Sequence, residues 1–247
     1  MSKTLFRLVF VSSLLGLILV MPAAAQDFQK SYRIGAGASV RISTVSGDVK
    51  VTAYNGDAII VTGFKEGHDL NLVNIEDRSS AGNLDVGVRY PDNCNCNVSV
   101  RFEVQVPASV NYSFDGLSSV SGDVSVVGVT GRLKASSVSG NVKVKEVAGT
   151  VNASSVSGNV EVEISRFESQ DDMKFSSVSG NVDVRLPSTL DAEIDMSSLS
   201  GSIRTDFPVE VRKDRYTSRQ WARGRVGNGS HNLHMSSVSG SLSLKSS

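Results

Sequence analysis

The chain has 247 residues, with 25 basic against 25 acidic, and is 40% hydrophobic but only 6% aromatic. That balance argues against nucleic acid as a partner, because nothing in it supplies a basic surface for phosphates. Few aromatics among many Val, Leu, Ala and Gly suit a thin core between two sheets better than a globular centre.

Residues 1–25 read as a secretory signal peptide: Lys3 and Arg7, an apolar run from Leu8 to Val20, then Ala23-Ala24-Ala25 before Gln26. No cysteine follows the alanines to accept a lipid. No other run reaches 18 apolar residues, so no transmembrane span is expected in the mature chain. Without Lys3 and Arg7, 23 basic residues face 25 acidic ones. The expectation is an exported protein of the periplasm or cell surface, with residues 26–247 as a single domain.

Strands begin near Val40 and carry Thr44-Val-Ser-Gly-Asp. An irregular insertion, 65–97, then separates them from the strand Val98 to Val106. It holds both cysteines, Cys94 and Cys96, at the same strand parity as Val98 and Phe102. In an oxidising compartment three states stay open: a Cys-x-Cys disulfide, two thiols, or a bond to another chain.

From Val120 to Ile164 the sequence divides without a gap into five nonapeptides, VSGDVSVVG, VTGRLKASS, VSGNVKVKE, VAGTVNASS and VSGNVEVEI. Within one copy Val138, Gly140, Val142 and Val144 alternate with Ser139, Asn141, Lys143 and Lys145, which predicts one inward and one outward face. Nine is odd, so register must break once per copy, and Ser136-Ser137 and Ser154-Ser155 are read as those corners. Two nonapeptides make an 18-residue unit. An antiparallel meander and a parallel solenoid both satisfy the pattern, and the solenoid is favoured: all-β, two short strands per roughly 18–22-residue coil. Lys143 and Lys145 should then lie beside Glu161 and Glu163, and those beside Asp183 and Arg185.

Beyond Ile164 the spacing loosens, with corner insertions at 165–172 and Pro187-Ser188-Thr189. Asp191, Glu193 and Asp195 share one strand face, within the spacing of an inverting carboxylate pair, but no histidine, nucleophile elbow or phosphate loop accompanies them. A second insertion, 206–230, carries Arg212, Arg215, Tyr216, Arg219, Trp221, Arg223 and Arg225. Arginines interleaved with aromatics form the best contact patch in the chain, suited to an anionic envelope polymer, a lipid headgroup or another, acidic protein. His231 and His234, three apart, fall on opposite faces of a strand. Ser125, Lys134, Lys143, Asn152 and Glu161 stand where a calcium-binding nonapeptide roll would place aspartates, which argues against that roll.

The serial Ser-Val-Ser-Gly-Asn-Val motifs, the Tyr54-Asn-Gly-Asp turn, the strand end Val104-Gln-Val-Pro-Ala and the closing Gly227-Asn-Gly resemble the bacterial β-strand-repeat family labelled "putative adhesin", a domain of unknown function. The resemblance spans roughly residues 35–247 and implies a β-solenoid-like fold. It brings no catalytic residue or cofactor. The expected function is a non-enzymatic binding, adhesin-like or scaffold module, with a self-associating envelope protein or a carbohydrate-active enzyme as alternatives.

Overall fold

A computed structural model of the protein describes residues 27–167 and 171–247; the leader expected over 1–25 lies outside the described residues. Among the described residues the only helical element is a 3-10 turn at Leu70–Leu72, and no helix is long and apolar enough to cross a membrane.

The N-terminal strands are β1 (Phe28–Tyr32), β2 (Ser39–Ser46), β3 (Val49–Tyr54), β4 (Ile59–Gly67), β5 (Asn74–Asp77), β6 (Asn83–Arg89) and β7 (Val98–Pro107). The tight repeats form β8 (Asn111–Ser121), β9 (Val124–Val127), β10 (Thr130–Ser137), β11 (Val142–Ser155), β12 (Val160–Arg166), β13 (Met173–Ser177) and β14 (Val182–Leu186). After them come β15 (Ala192–Ser198), β16 (Ile203–Thr205), β17 (Val211–Lys213), β18 (Gln220–Val226), β19 (His231–Ser237) and β20 (Leu242–Ser246).

Hydrogen bonding joins all of these strands, in two ladders. One runs β5-β6-β2-β8-β10-β11-β13-β19-β15-β18-β17. The other runs β1-β4-β7-β3-β9-β11-β12-β14-β20-β16. The expected parallel register holds through the repeats: Val124, Val142, Val160 and Val182 are consecutive partners and all fully buried. A thin core of Val, Leu, Ile and Ala fills the space between the ladders, with Phe102, Tyr112, Phe114 and Phe175 as its bulkiest members.

The arrangement departs from a plain two-strand coil in three ways. The 14-residue β11 belongs to both ladders, its first half bonded to β9 and its second to β10. Antiparallel strands close the ends of the stack: β4 and β1 on β7, β5 on β6, and β18 and β17 on β15. Spatial order also differs from chain order. β2 and β3 sit between the coils β6/β7 and β8/β9. β19 and β20 sit between β13/β14 and β15/β16. β2, β3, β19 and β20 are thus each held along both edges. The short edge strand β16 is finished by a side chain, since the Ile203 N–H donates to Oε1 of Gln220 at 2.9 Å.

Each repeated letter has a stacking role. A Cβ on Gly140 would lie 2.1 Å from the carbonyl oxygen of Gly122, and Gly158 meets Gly140, Gly180 meets Gly158 and Gly240 meets Gly180 in the same way. Glycine is required here by the approach of neighbouring turns. The buried hydroxyls of Ser137, Ser155 and Ser177 donate at 2.8 Å to the carbonyls of Gly122, Gly140 and Gly158. After Gly47, Gly122, Gly140, Gly158 and Gly180 an Asp or Asn side chain accepts the next turn's backbone N–H: Asp48 from Asp123 (2.8 Å), Asp123 from Asn141 (2.7 Å), Asn141 from Asn159 (3.0 Å), Asn159 from Asn181 (2.9 Å) and Asn181 from Ser241 (2.9 Å).

Several expectations are corrected. Ser137 and Ser155 are not corner residues; they end strands and face inward. The corner is Val-Ser-Gly, so Val138 turns outward at 44% exposure with Val45, Val120, Val156, Val178, Leu199 and Val238. The stretch 65–97 is not simply irregular. The alternation Leu84, Val86, Val88 forms β6, which continues the first ladder in parallel with β2. Lys145 ion-pairs with Glu161 rather than Glu163, because the register slips after Val144; Glu163 keeps Arg185 as its partner across the ladder.

Candidate contact surface

The segment 206–230 is held as an edge hairpin. β17 and β18 pair antiparallel, with Arg212 opposite Trp221, and β18 pairs with the edge of β15, placing Trp221 opposite Ser197, Arg223 opposite Asp195 and Arg225 opposite Glu193. Alternation sends Ala222, fully buried, toward the core and leaves Arg212, Trp221, Arg223 and Arg225 on the outward face.

That face is largely neutralised. Arg223 Nη2 lies 3.2 Å from Asp195 Oδ2, Arg225 Nε donates to Glu193 Oε1 at 3.1 Å, and Arg212 Nη2 donates to Glu210 Oε2 at 2.9 Å. Trp221 is half-buried. The tip behaves differently. Oδ1 of Asp214 accepts the N–H groups of Tyr216 and Thr217, both at 2.8 Å, and the Asp214 N–H donates to the Arg219 carbonyl at 2.9 Å. Those backbone donors, Tyr216 first, hold the Asp214 carboxyl below the usual range. A tip tied from within displays Arg215, Tyr216 and Arg219 outward, with Tyr216 95% exposed. Among the described residues neither Arg215 nor Arg219 has a salt bridge. The seven residues singled out in the sequence are therefore brought onto one hairpin but divided into a paired face and an unpaired tip.

A second polar strip runs along the outward face of the other ladder, where Lys50, Arg101, Glu103, Ser125, Lys143 and Glu161 line a shallow trough. Lys143 and Lys145 converge on Glu161 at 3.3 and 3.1 Å. Burial opposes its ionisation, but the two ammonium groups outweigh that and hold its carboxyl below the usual range.

The three carboxylates of the enzymatic alternative are each engaged. Asp191 accepts the Gly229 N–H at 2.6 Å and the Ser230 hydroxyl at 2.5 Å, while Glu193 and Asp195 hold Arg225 and Arg223. His231 is buried against Phe167, and His234 sits on the other face, opposite Lys174 and Asp195. Cys94 and Cys96 have their Cα atoms 5.1 Å apart and their sulfurs against each other. Sequence reasoning missed that β15 supplies the partners of Arg223 and Arg225. The alternation of Glu193 and Asp195 was the available signal, but it does not say which strand lies alongside.

Residues 17–245 match the family model described as Toastrack DUF4097. Among solved structures, a "putative cell adhesion protein" from Clostridium sporogenes is similar at 10% identity and a TM-score of 0.48, over 89% of this chain and 99% of that one. A "putative adhesin" from Bacteroides fragilis is similar at 13% identity and a TM-score of 0.41, over 90% of this chain and 98% of that one. No curated relative matches this chain.

Proposed function

Since this chain belongs to the Toastrack DUF4097 family, we propose that it is an exported, non-enzymatic β-repeat module, adhesin-like in acting through surface contact. The fold is read as a β-solenoid whose ends are capped by antiparallel strands. The observation that carries the contact reading is the hairpin tip, where Arg215, Tyr216 and Arg219 project from a turn held by Asp214. Two guanidinium groups beside an exposed aromatic suit an anionic envelope polymer. The charge-paired stems of Arg223 and Arg225 fix the hairpin to β15 and are read as positioning it. That each of Asp191, Glu193 and Asp195 already holds a partner supports the non-enzymatic side of the reading.

The test is binding of the mature protein to an anionic polysaccharide such as polygalacturonate, followed by titration calorimetry at two salt concentrations. Replacing Arg215, Tyr216 and Arg219 together by Ala should weaken binding about tenfold or more, and added salt should weaken the wild type likewise. Equal binding by wild type and variant would remove the tip from the reading.

A further inference from the structure

We infer that two copies of this chain associate side by side, antiparallel, through the aliphatic ridge at the Val-Ser-Gly corners. The ridge is built from other residues than the hairpin tip, which adjoins only its last rung, where Gln220 lies opposite Ser198. Successive turns are locked there by backbone bonds: Ser139 N–H to Val120 carbonyl at 2.7 Å, and Ser157 to Val138, Ser179 to Val156 and Ser239 to Val178, each at 2.8 Å. One branched aliphatic side chain per turn therefore stands outside, from Val45 at one end to Leu199 at the other, each between 43% and 53% exposed. Seven rungs at the interstrand spacing extend about 29 Å.

Isolated exposed aliphatics need no explanation, but a contiguous row does. Two facing ridges would cover on the order of 1,000 Å², the lower bound for a specific interface. A second copy is the occupant the geometry fits, since only a ridge with the same repeat distance can match every rung. The corner residues beside the middle rungs are Ser and Asn, without the aromatic platform a sugar would need, and Asp48 and Asp123 beside the first two rungs disfavour an anionic lipid. Backbone N–H and carbonyl groups at the corner are used within the stack, so an added peptide strand finds no partners there.

Charge selects the direction. Asp48 and Asp123 lie at the corner near the Val45 end, while the far end carries Ser241 and Ser202. Parallel docking would set Asp48 against Asp48 and Asp123 against Asp123; antiparallel docking sets each opposite a serine. The two-fold axis then passes through the fourth rung, Val156. Val138 meets the partner copy's fifth rung, and the first rung meets the last.

Sedimentation and cysteine cross-linking test this. The wild type should sediment as a dimer. Val138→Lys with Val156→Lys should weaken self-association about tenfold or more while leaving the far-ultraviolet spectrum intact. Under mild oxidation, a Val156→Cys variant should cross-link to itself and Val45→Cys should not, whereas mixing Val45→Cys with Leu199→Cys should give the heterodimer. A wild type that stays monomeric, a lysine variant that stays dimeric, or self-cross-linking of Val45→Cys would each overturn the inference.

Discussion

The hydroxyl of Ser155 donates to the carbonyl of Gly140 at 2.8 Å, fifteen residues earlier in the chain and one turn away in the stack. The same glycine presses against Gly122, with no room for a Cβ. The two contacts differ in what they tolerate. Gly140→Ala must push two backbones apart and should cost about 3 kcal/mol or more. Ser155→Ala removes one buried hydrogen bond and should cost about 1–2 kcal/mol. Urea titration of both variants checks the order; equal losses would show that the approach of the glycines is not what fixes the turn spacing.

The side-chain ladder beside the glycines obeys a different rule, because it needs only an acceptor oxygen. Asn159 receives the Asn181 N–H at 2.9 Å, and Asp48 and Asp123 do the same work as carboxylates. Asn159→Asp should therefore be nearly neutral at pH 7, while Asn159→Ala should cost about 0.5–1.5 kcal/mol. Acidification below about pH 4 should leave the Asp variant well above the Ala variant, because the protonated carboxyl keeps its carbonyl acceptor. Urea midpoints at the two pH values distinguish them.

The 18-residue spacing was enough to place Val142 beside Val160 and Lys143 beside Glu161, since equal spacing in a parallel stack is equal height. It could not show that Val138 faces solvent. Strict alternation assigns Val138 to the inward set, but the chain turns at that residue and parity is lost. Nor could it give the order of the turns. The Ser-Ser-Val-Ser-Gly phrases around Ser197 and Ser236 are nearly interchangeable, and only the coordinates place β19 inside β15. The arginine-rich segment was legible as a unit. Its division into a paired stem and a bare tip was not, because the division depends on which strand offers the free edge.

Acid should weaken the fold through Asp115. Its carboxylate accepts the hydroxyls of Ser39 at 2.6 Å and Ser113 at 2.8 Å. The Ser39 bond, against an opposing contribution from burial and with Arg41 and Lys134 nearby, holds the carboxyl below the usual range. A folded value below the unfolded one, near 3.9, means a contribution present above about pH 4 and lost as pH falls through the folded value. Asp115→Asn should lower the urea midpoint at pH 7 and flatten its decline from there to about pH 3. An acid limb as steep in the variant as in the wild type would place the titrating group elsewhere.

One residue is held in a backbone conformation that its side chain opposes. Glu146 has φ 55° where the register of β11 slips between Val144 and Val147. On the adjacent turn Gly128 has φ 74° and donates its N–H to the Lys145 carbonyl at 3.0 Å. The left-handed region costs an ordinary residue about 1–2 kcal/mol, whereas glycine's greater freedom in the unfolded chain costs about 0.5–1 kcal/mol. Glu146→Gly should thus range from neutral to about 1 kcal/mol stabilising. Glu146→Val, branched at Cβ, should lose about 1–2 kcal/mol. Thermal melts of the pair decide the matter: a Gly variant that melts well below the wild type would mean that the Glu146 side chain contributes more to the bend than its backbone strain removes.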